Sequence, residues 1–332
     1  MLSVAAGCKA EKTPRSTPVA APSPAPSPGA QPQPAGLNVL LITVDAMRAD
    51  MPWQGYARPI APRLTRLAEE SVVYTNAYAV SSDTAKSVPA MLAGRYPSAL
   101  YRSGAFFAGY PQSNVFLAEV LGAAGVRTIG WHAHLYFGSA KGLDQGFDVW
   151  QMVPGLVFEP QADRNVAGPK LTRMGEDLLS KPENTGKQFF AWSHYTDPHE
   201  EYLKHEECPD WGNGRRDRYD SEICFVDLWV GKLLDWAATQ PWWASTALIV
   251  TSDHGEAFGE HATLRHAFNL WQVLVRVPLM IKVPGAKPRR IDLPRSQIDL
   301  APTIAELMGA KPPDSFVGKS LAAEIRGSAP DD

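Results

Sequence analysis

Cysteine is scarce in this chain: Cys8, Cys208 and Cys224 are the three among 332 residues. So few exclude a small fold stapled by several disulfides, and one separated pair with no second pair is a poor fit to a structural zinc site. Two readings of Cys208 and Cys224 stay open. In an exported protein they can close a disulfide loop worth about 3 kcal/mol; alternatively Cys224, which falls in a helical pattern, is a small buried apolar residue. Long apolar runs are missing as well, and nothing approaches the roughly 20 residues of a membrane-spanning helix. Positive charge is short, with 32 Lys and Arg against 35 Asp and Glu. Residues 1–36 hold Lys9, Lys12 and Arg15 against Glu11, so the rest of the chain carries −5. It has no basic stripe, which argues against nucleic acid as a partner. Regular internal repeats are not visible either.

Apolar residues are plentiful. At 45% hydrophobic and 20% charged, a chain of this length can bury a sizeable core, and one large α/β domain is expected rather than two. The first 36 residues do not belong to it. Leu2–Cys8, LSVAAGC, resembles the end of a bacterial lipoprotein signal, although only a stub of its apolar region precedes Cys8. Thr13–Pro34 contains eight prolines among Ala, Ser, Gln and Thr, a composition that stays extended instead of burying a core. The expectation is a lipid on Cys8, a Pro-rich linker to residue 36, and a domain over 37–332 held at the periplasmic or cell surface. If the Cys8 match is fortuitous, the protein is secreted.

Leu37–Val44, LNVLLITV, reads as a buried parallel strand that ends on Asp45. Pro62–Glu70 reads as a short amphipathic helix. Ser81-Ser82-Asp83 opens another helix over Thr84–Leu92, closed by Gly94. Asn114–Gly122 is helical, and Arg127–His134 is a strand carrying His132 and His134. A helix near Leu171–Leu179 precedes the buried strand Gln188–Tyr195, which leads into Asp197 and His199. Asp220–Ala237 has the clearest helical periodicity. The run Ala247–Val250 delivers Asp253 and His254, and Pro278–Val283 and Leu300–Met308 supply a last strand and helix.

Strands alternating with helices predict a mainly parallel sheet. Asp45, His134, Asp197/His199 and Asp253/His254 all follow strands, and ligands of open α/β sheets bind at that edge. An acid and imidazole side by side suit a metal. The same segment could equally be a polar strand-to-loop turn, and Thr84 could simply cap its helix.

Six segments decide the matter: NVLLITVDAMRAD, AMLAGRYP, YTDPHEEY, YDSEICFVD, SDHGEAFGEH and RVPLMIKVPG. In this order and spacing, from about Leu37 to Ser320, they resemble the sulfatase family of the alkaline phosphatase superfamily. The resemblance implies a three-layer α/β sandwich with a mainly parallel central sheet and an abbreviated C-terminal part. It implies Asp45, Asp253 and His254 as metal ligands, with Thr84 alongside them. Typical sulfatases make a formylglycine nucleophile from the Cys of C-x-P-S-R, ten residues before the Gly of L-x-G-R. That position here is Thr84, in Thr84-Ala85-Lys86-Ser87-Val88. Ser87 is kept while Cys, Pro and Arg are absent, so formylglycine cannot form.

Thr at this position resembles relatives with phosphorus substrates, such as lipoteichoic acid synthases and phosphoethanolamine transferases. The implied activity is metal-dependent cleavage of a phosphate- or sulfate-type ester through Thr84, with phosphoesters favoured. Lys86, His134, His199 and His266 are the implied contacts to the substrate anion, and Lys86, His199 and His266 have catalytic roles beside Thr84. His261 reads as support for a ligand; His132, His194 and His205 read as structural. One complete site for Ca²⁺, Mg²⁺ or Mn²⁺, with Zn²⁺ as a further option, follows from the oxygen-rich ligands. The substrate is a small-molecule, glycan or lipid ester. A phosphoethanolamine- or glycerophosphate-type transferase and an anion-binding protein without catalysis are the competing readings.

Overall fold

The run NVLLITV forms strand β1 (Asn38–Val44), and all seven residues are buried. The computed structural model describes residues 36–105, 107–138, 141–157 and 164–329. The Cys8 anchor and the Pro-rich linker therefore lie outside the described residues. In chain order the other strands are β2 (Val72–Tyr78), β3 (Arg127–His132), β4 (Val149–Met152), β5 (Phe189–Tyr195), β6 (Thr246–Ser252), β7 (Ala257–Phe258), β8 (Leu264–Arg265), β9 (Arg276–Lys282), β10 (Arg289–Ile291) and β11 (Arg295–Ser296). The helices are α1 (Pro62–Glu69), α2 (Thr84–Ala93), α3 (Leu117–Ala123), α4 (Gly168–Leu179), α5 (Pro182–Thr185), α6 (Arg215–Ala237), α7 (Gln272–Val275), α8 (Leu300–Leu307) and α9 (Ala322–Ile325).

The main sheet runs β10-β2-β9-β6-β1-β5-β3-β4, with β11 also pairing β2. β9 runs antiparallel to both neighbours and the other pairings are parallel. Because side chains alternate along a strand, β1 feeds two cores. Val39 and Leu41 join Val88 and Met91 of α2, Leu117 of α3 and Ile304 of α8. Leu40, Ile42 and Val44 join Leu64 of α1, Leu171 of α4 and Ile223, Val226 and Val230 of α6. The result is three layers, helices on both faces of the sheet, as expected.

Some boundaries differ from the sequence reading. β3 stops at His132, so His134 lies in the turn beyond it. α6 begins at Arg215, because its first turn, RRDR, is polar and gives no apolar period to read. β4 is a partly exposed edge strand without an apolar run, which is why the pattern did not reveal it.

Cys208 and Cys224 are joined in a disulfide across 16 positions. It ties the segment after β5 to α6. Replacing both cysteines by Ser is expected to cost about 3 kcal/mol of unfolding free energy by the loop-entropy argument. A urea titration reads this directly; an unchanged midpoint would show that other contacts already fix the loop.

Candidate active site

Parallel register sets the metal-capable cluster. Val44 of β1 lies opposite Ser252 of β6, so the next residues, Asp45 and Asp253, leave the sheet side by side. Asp45, Asp253 and His254 are all fully buried, and one ligand atom of each lies within 4.8 Å of the others. The turn after Asp45 is unusual: Ala46 takes φ 57°, a left-handed conformation that costs a non-glycine residue on the order of 1 kcal/mol. It is held there by its own N–H donating to Asp253 Oδ1 at 3.3 Å and by its carbonyl accepting from Tyr219 Oη at 2.8 Å. Tyr219 also accepts from Arg48 N at 2.8 Å. The YDSEICFVD segment of α6 thus shapes the Asp45 turn from behind. Arg48 and Asp50 form a bidentate ion pair there.

His254 Nδ1 donates to the Gly255 carbonyl at 2.8 Å, leaving Nε2 with a lone pair. That nitrogen lies 3.5 Å from Asp45 Oδ1, 3.5 Å from Asp253 Oδ2 and 3.0 Å from Thr84 Oγ1. Asp45 Oδ1 and Asp253 Oδ2 are both buried without a hydrogen-bond partner. Two unpaired buried carboxylate oxygens converging on one imidazole nitrogen are costly in isolation and fit a divalent cation. Burial pulls the His254 imidazole down, but Asp253 and Asp45 outweigh it and raise its pKa above the ordinary value. Burial pushes Asp45 up; the His194 hydrogen bond and the fields of His199 and His254 prevail and hold it well below the carboxylate range.

Thr84 is the first residue of α2, and the helix cap is its neighbour: Asp83 Oδ1 accepts from Ala85 N at 2.8 Å. The capping role open to Thr84 in the sequence is therefore taken, and its hydroxyl is directed at His254. Ser87 contacts the Asp253 carbonyl and Gln297 Oε1, fastening α2 to the metal segment. Further along, Pro89 has no N–H to offer the carbonyl four residues back. The Tyr110 hydroxyl fills that vacancy, donating to Ala85 O at 2.7 Å.

The implied substrate-side histidines do gather. His266 sits with its ring 4.3 Å from that of His254, His199 lies 5.1 Å from His266, and His134 lies 6.2 Å from His199. His134 Nδ1 accepts from Tyr136 N at 3.1 Å, and burial lowers the imidazole to about 3. The neutral ring therefore carries its hydrogen on Nε2, which faces Asp45 Oδ2 at 3.8 Å. The Lys86 ammonium pairs with Asp83, the cap residue beside Thr84.

Three sequence readings need correction. His194, read as structural, borders the cluster: its Nε2 is 3.4 Å from Asp45 Oδ2 and its Nδ1 2.7 Å from Thr43 Oγ1. The lateral register Thr43↔His194, which a single sequence does not reveal, brings it there. His261 is exposed and stacks on Trp271 at 4.1 Å, so it supports no ligand. Asp197 accepts from Ala167 N and Gly168 N at 2.9 Å each, holding the start of α4 instead of joining the cluster. Burial raises its carboxyl to about 6. His205 pairs with Glu222 at 2.7 Å and stacks on Phe225.

Glu256 went unread, although it stands only two residues beyond His254. Fully buried, it holds His266 Nδ1 at 3.2 Å from both carboxylate oxygens and accepts from Tyr202 Oη at 2.7 Å. Burial pushes its carboxyl up, and His266 and Tyr202 more than reverse this. His266 is thus held toward His254 by a carboxylate.

The family model for Sulfatase matches residues 37–310. The chain is 24% identical over 348 residues to an ulvan-active sulfatase of Formosa agariphila, covering 91% of this chain and 67% of that one. It is 35% identical over 105 residues to the uncharacterized sulfatase YidJ of Escherichia coli, covering 31% and 21%. Matches to the curated relatives thus span from about a fifth to two thirds of their length. Among solved structures, a 2-O GAG sulfatase superposes with a TM-score of 0.73 at 18% identity, over 89% of this chain and 75% of that one, a likeness of fold.

Proposed function

Because the chain belongs to the sulfatase family of the alkaline phosphatase superfamily, we propose that it is a metal-dependent hydrolase of phosphate- or sulfate-type esters, with Thr84 as nucleophile and phosphoesters preferred. The observation that carries this reading is the Thr84 hydroxyl, 3.0 Å from His254 Nε2 beside two unpaired carboxylate oxygens. Asp45, Asp253 and His254 would hold the cation, with the Thr84 oxygen next to it. A divalent cation there supplies positive charge that favours the ionised hydroxyl and offsets charge on the transferring group.

The remaining work falls to the chain's own residues. Thr84 Oγ1, its proton released to solvent, attacks phosphorus or sulfur, and the ester oxygen departs with its alkyl or aryl group. His134, whose Nε2 faces Asp45 Oδ2 at 3.8 Å, is the proposed contact to the anion at the edge of the cluster. His199 and His266 are the groups placed to protonate the departing oxygen. Water then cleaves the Thr84 ester, returning the hydroxyl and releasing the inorganic anion. The phosphoester preference rests on Thr84 itself, since an ordinary hydroxyl stands where formylglycine would have to form. The Cys208–Cys224 bridge supports an exported protein, as the Cys8 segment suggests.

Matched aryl phosphates, phosphodiesters and aryl sulfates test the proposal through kcat/KM. Phosphoesters should be turned over faster, aryl phosphates releasing inorganic phosphate and phosphodiesters the matching monoester, with no new ester formed to an added alcohol acceptor. Sulfate turnover above phosphate turnover would remove the preference, and transfer to alcohol would favour a transferase.

A further inference from the structure

The segment that delivers His266 also leaves four large apolar side chains in water. Leu264, Phe268, Leu270 and Trp271 are 50%, 83%, 70% and 42% exposed. Scattered exposed apolar residues are ordinary, but four within eight positions form a patch of the kind that marks a binding surface. The backbone beneath them is specified. Leu264 pairs with Phe258 across the β7–β8 hairpin. Ala267 N donates to Ser82 O at 2.7 Å, and Ser82 Oγ donates to Asn269 O at 2.5 Å. Trp271 stacks on His261. His261, Ala262, Arg265 and Ala267, none of them glycine, hold left-handed φ between 54° and 84°. Non-glycine residues keep such angles where surrounding contacts dictate them.

These hydrogen bonds fix the location. Ser82 is two residues before Thr84, and His266 reaches the ring of His254. The strip therefore borders the nucleophile on the side where His266 stands ready for the departing oxygen.

We propose that Phe268 and Leu270, flanked by Leu264 and Trp271, form a subsite for an apolar group on the alcohol side of the ester, so that the preferred substrate is an alkyl or aryl ester. This rests on the reading of Thr84 as nucleophile, because it is Thr84 that places the ester beside the strip. A lipid surface would also contact exposed apolar side chains. Attachment of the strip to Ser82, two residues before Thr84, favours the substrate.

The experiment is a calorimetric series with n-alkylphosphonates from methyl to octyl on the metal-loaded wild-type protein, with Phe268→Ser and Leu270→Ser as variants. Kd should tighten about two- to fourfold for each added methylene until the chain outruns the strip. The two variants should flatten that trend while binding methylphosphonate as the wild type does. A Kd independent of chain length, or variants that weaken methyl- and octylphosphonate alike, overturns the proposal. So does a flat series combined with variant-sensitive binding to phosphatidylcholine vesicles, which would make the strip a membrane contact. Phosphonate binding needs no turnover, so failure of the subsite and failure of the hydrolase reading appear in separate measurements.

Discussion

Thr84→Ala is expected to lower kcat/KM by at least about 10³-fold while the protein keeps its metal and its fold. The size follows from the role: the substitution removes the atom that forms the covalent bond, and the surrounding charges can retain only residual catalysis. Retention of the fold follows from the helix geometry. Asp83, not Thr84, caps α2, so the roughly 1 kcal/mol attached to a lost cap is not at stake. Thr84 is nearly buried, and Ala leaves only a small space at the helix start. Thr84→Ser, which restores a hydroxyl, should recover part of the rate. Single-turnover kinetics, metal content and thermal unfolding are to be measured together. An alanine variant with wild-type kcat would assign the nucleophile elsewhere, and one that unfolds would return Thr84 to a structural role.

Metal removal should have the second large effect. After chelation, adding back the preferred divalent ion at a thousandfold excess over its Kd should stabilise the fold by about 4 kcal/mol and raise the unfolding temperature by on the order of 5–10 °C. Without a cation, Asp45 Oδ1 and Asp253 Oδ2 are buried with no donor to satisfy them. A cation replaces that deficit with bonds. The pH dependence has a definite sign. The two carboxylates raise the proton affinity of His254, whose Nε2 must be bare to bind metal, so protons compete and metal affinity falls as pH drops through the raised pKa. Asp253→Asn should abolish the temperature shift. No shift with Ca²⁺, Mg²⁺, Mn²⁺ or Zn²⁺ would refute the ligand assignment.

Sequence reasoning reached Asp45, Asp253 and His254 because apolar β-branched runs announce strands, and the residues ending them fall at one edge of the sheet. Thr84 is reached by counting back from Gly94, and in the fold its hydroxyl lies 3.0 Å from His254 Nε2. What escaped depends on lateral neighbours. His194 reaches Asp45 only because β5 lies beside β1, and nothing local in QFFAWSHY states that. His261 misled for a related reason: its left-handed backbone turns it onto Trp271, and side-chain direction in such a turn has no period to read. Glu256 was within sight, but its importance depends on Tyr202 and His266 arriving from separate segments. Asp197 shares the edge position with Asp45 and Asp253 and serves a helix start instead, so edge position alone does not bring a carboxylate into the cluster.

The bond from Tyr110 to the Ala85 carbonyl, occupying the vacancy left by Pro89, has a consequence for how such an enzyme can diversify. Tyr110 lies on the connection between α2 and α3. Ala85 adjoins Thr84. That carbonyl is held by the Tyr110 phenol at 2.7 Å and approached by the Tyr136 phenol at 3.5 Å. A lineage changing its substrate could lengthen or rewrite the loop on either side of Tyr110 at little catalytic cost. Exchanging Tyr110 itself would loosen the first turn of the helix that aims Thr84. New specificity would then accumulate around a fixed pivot.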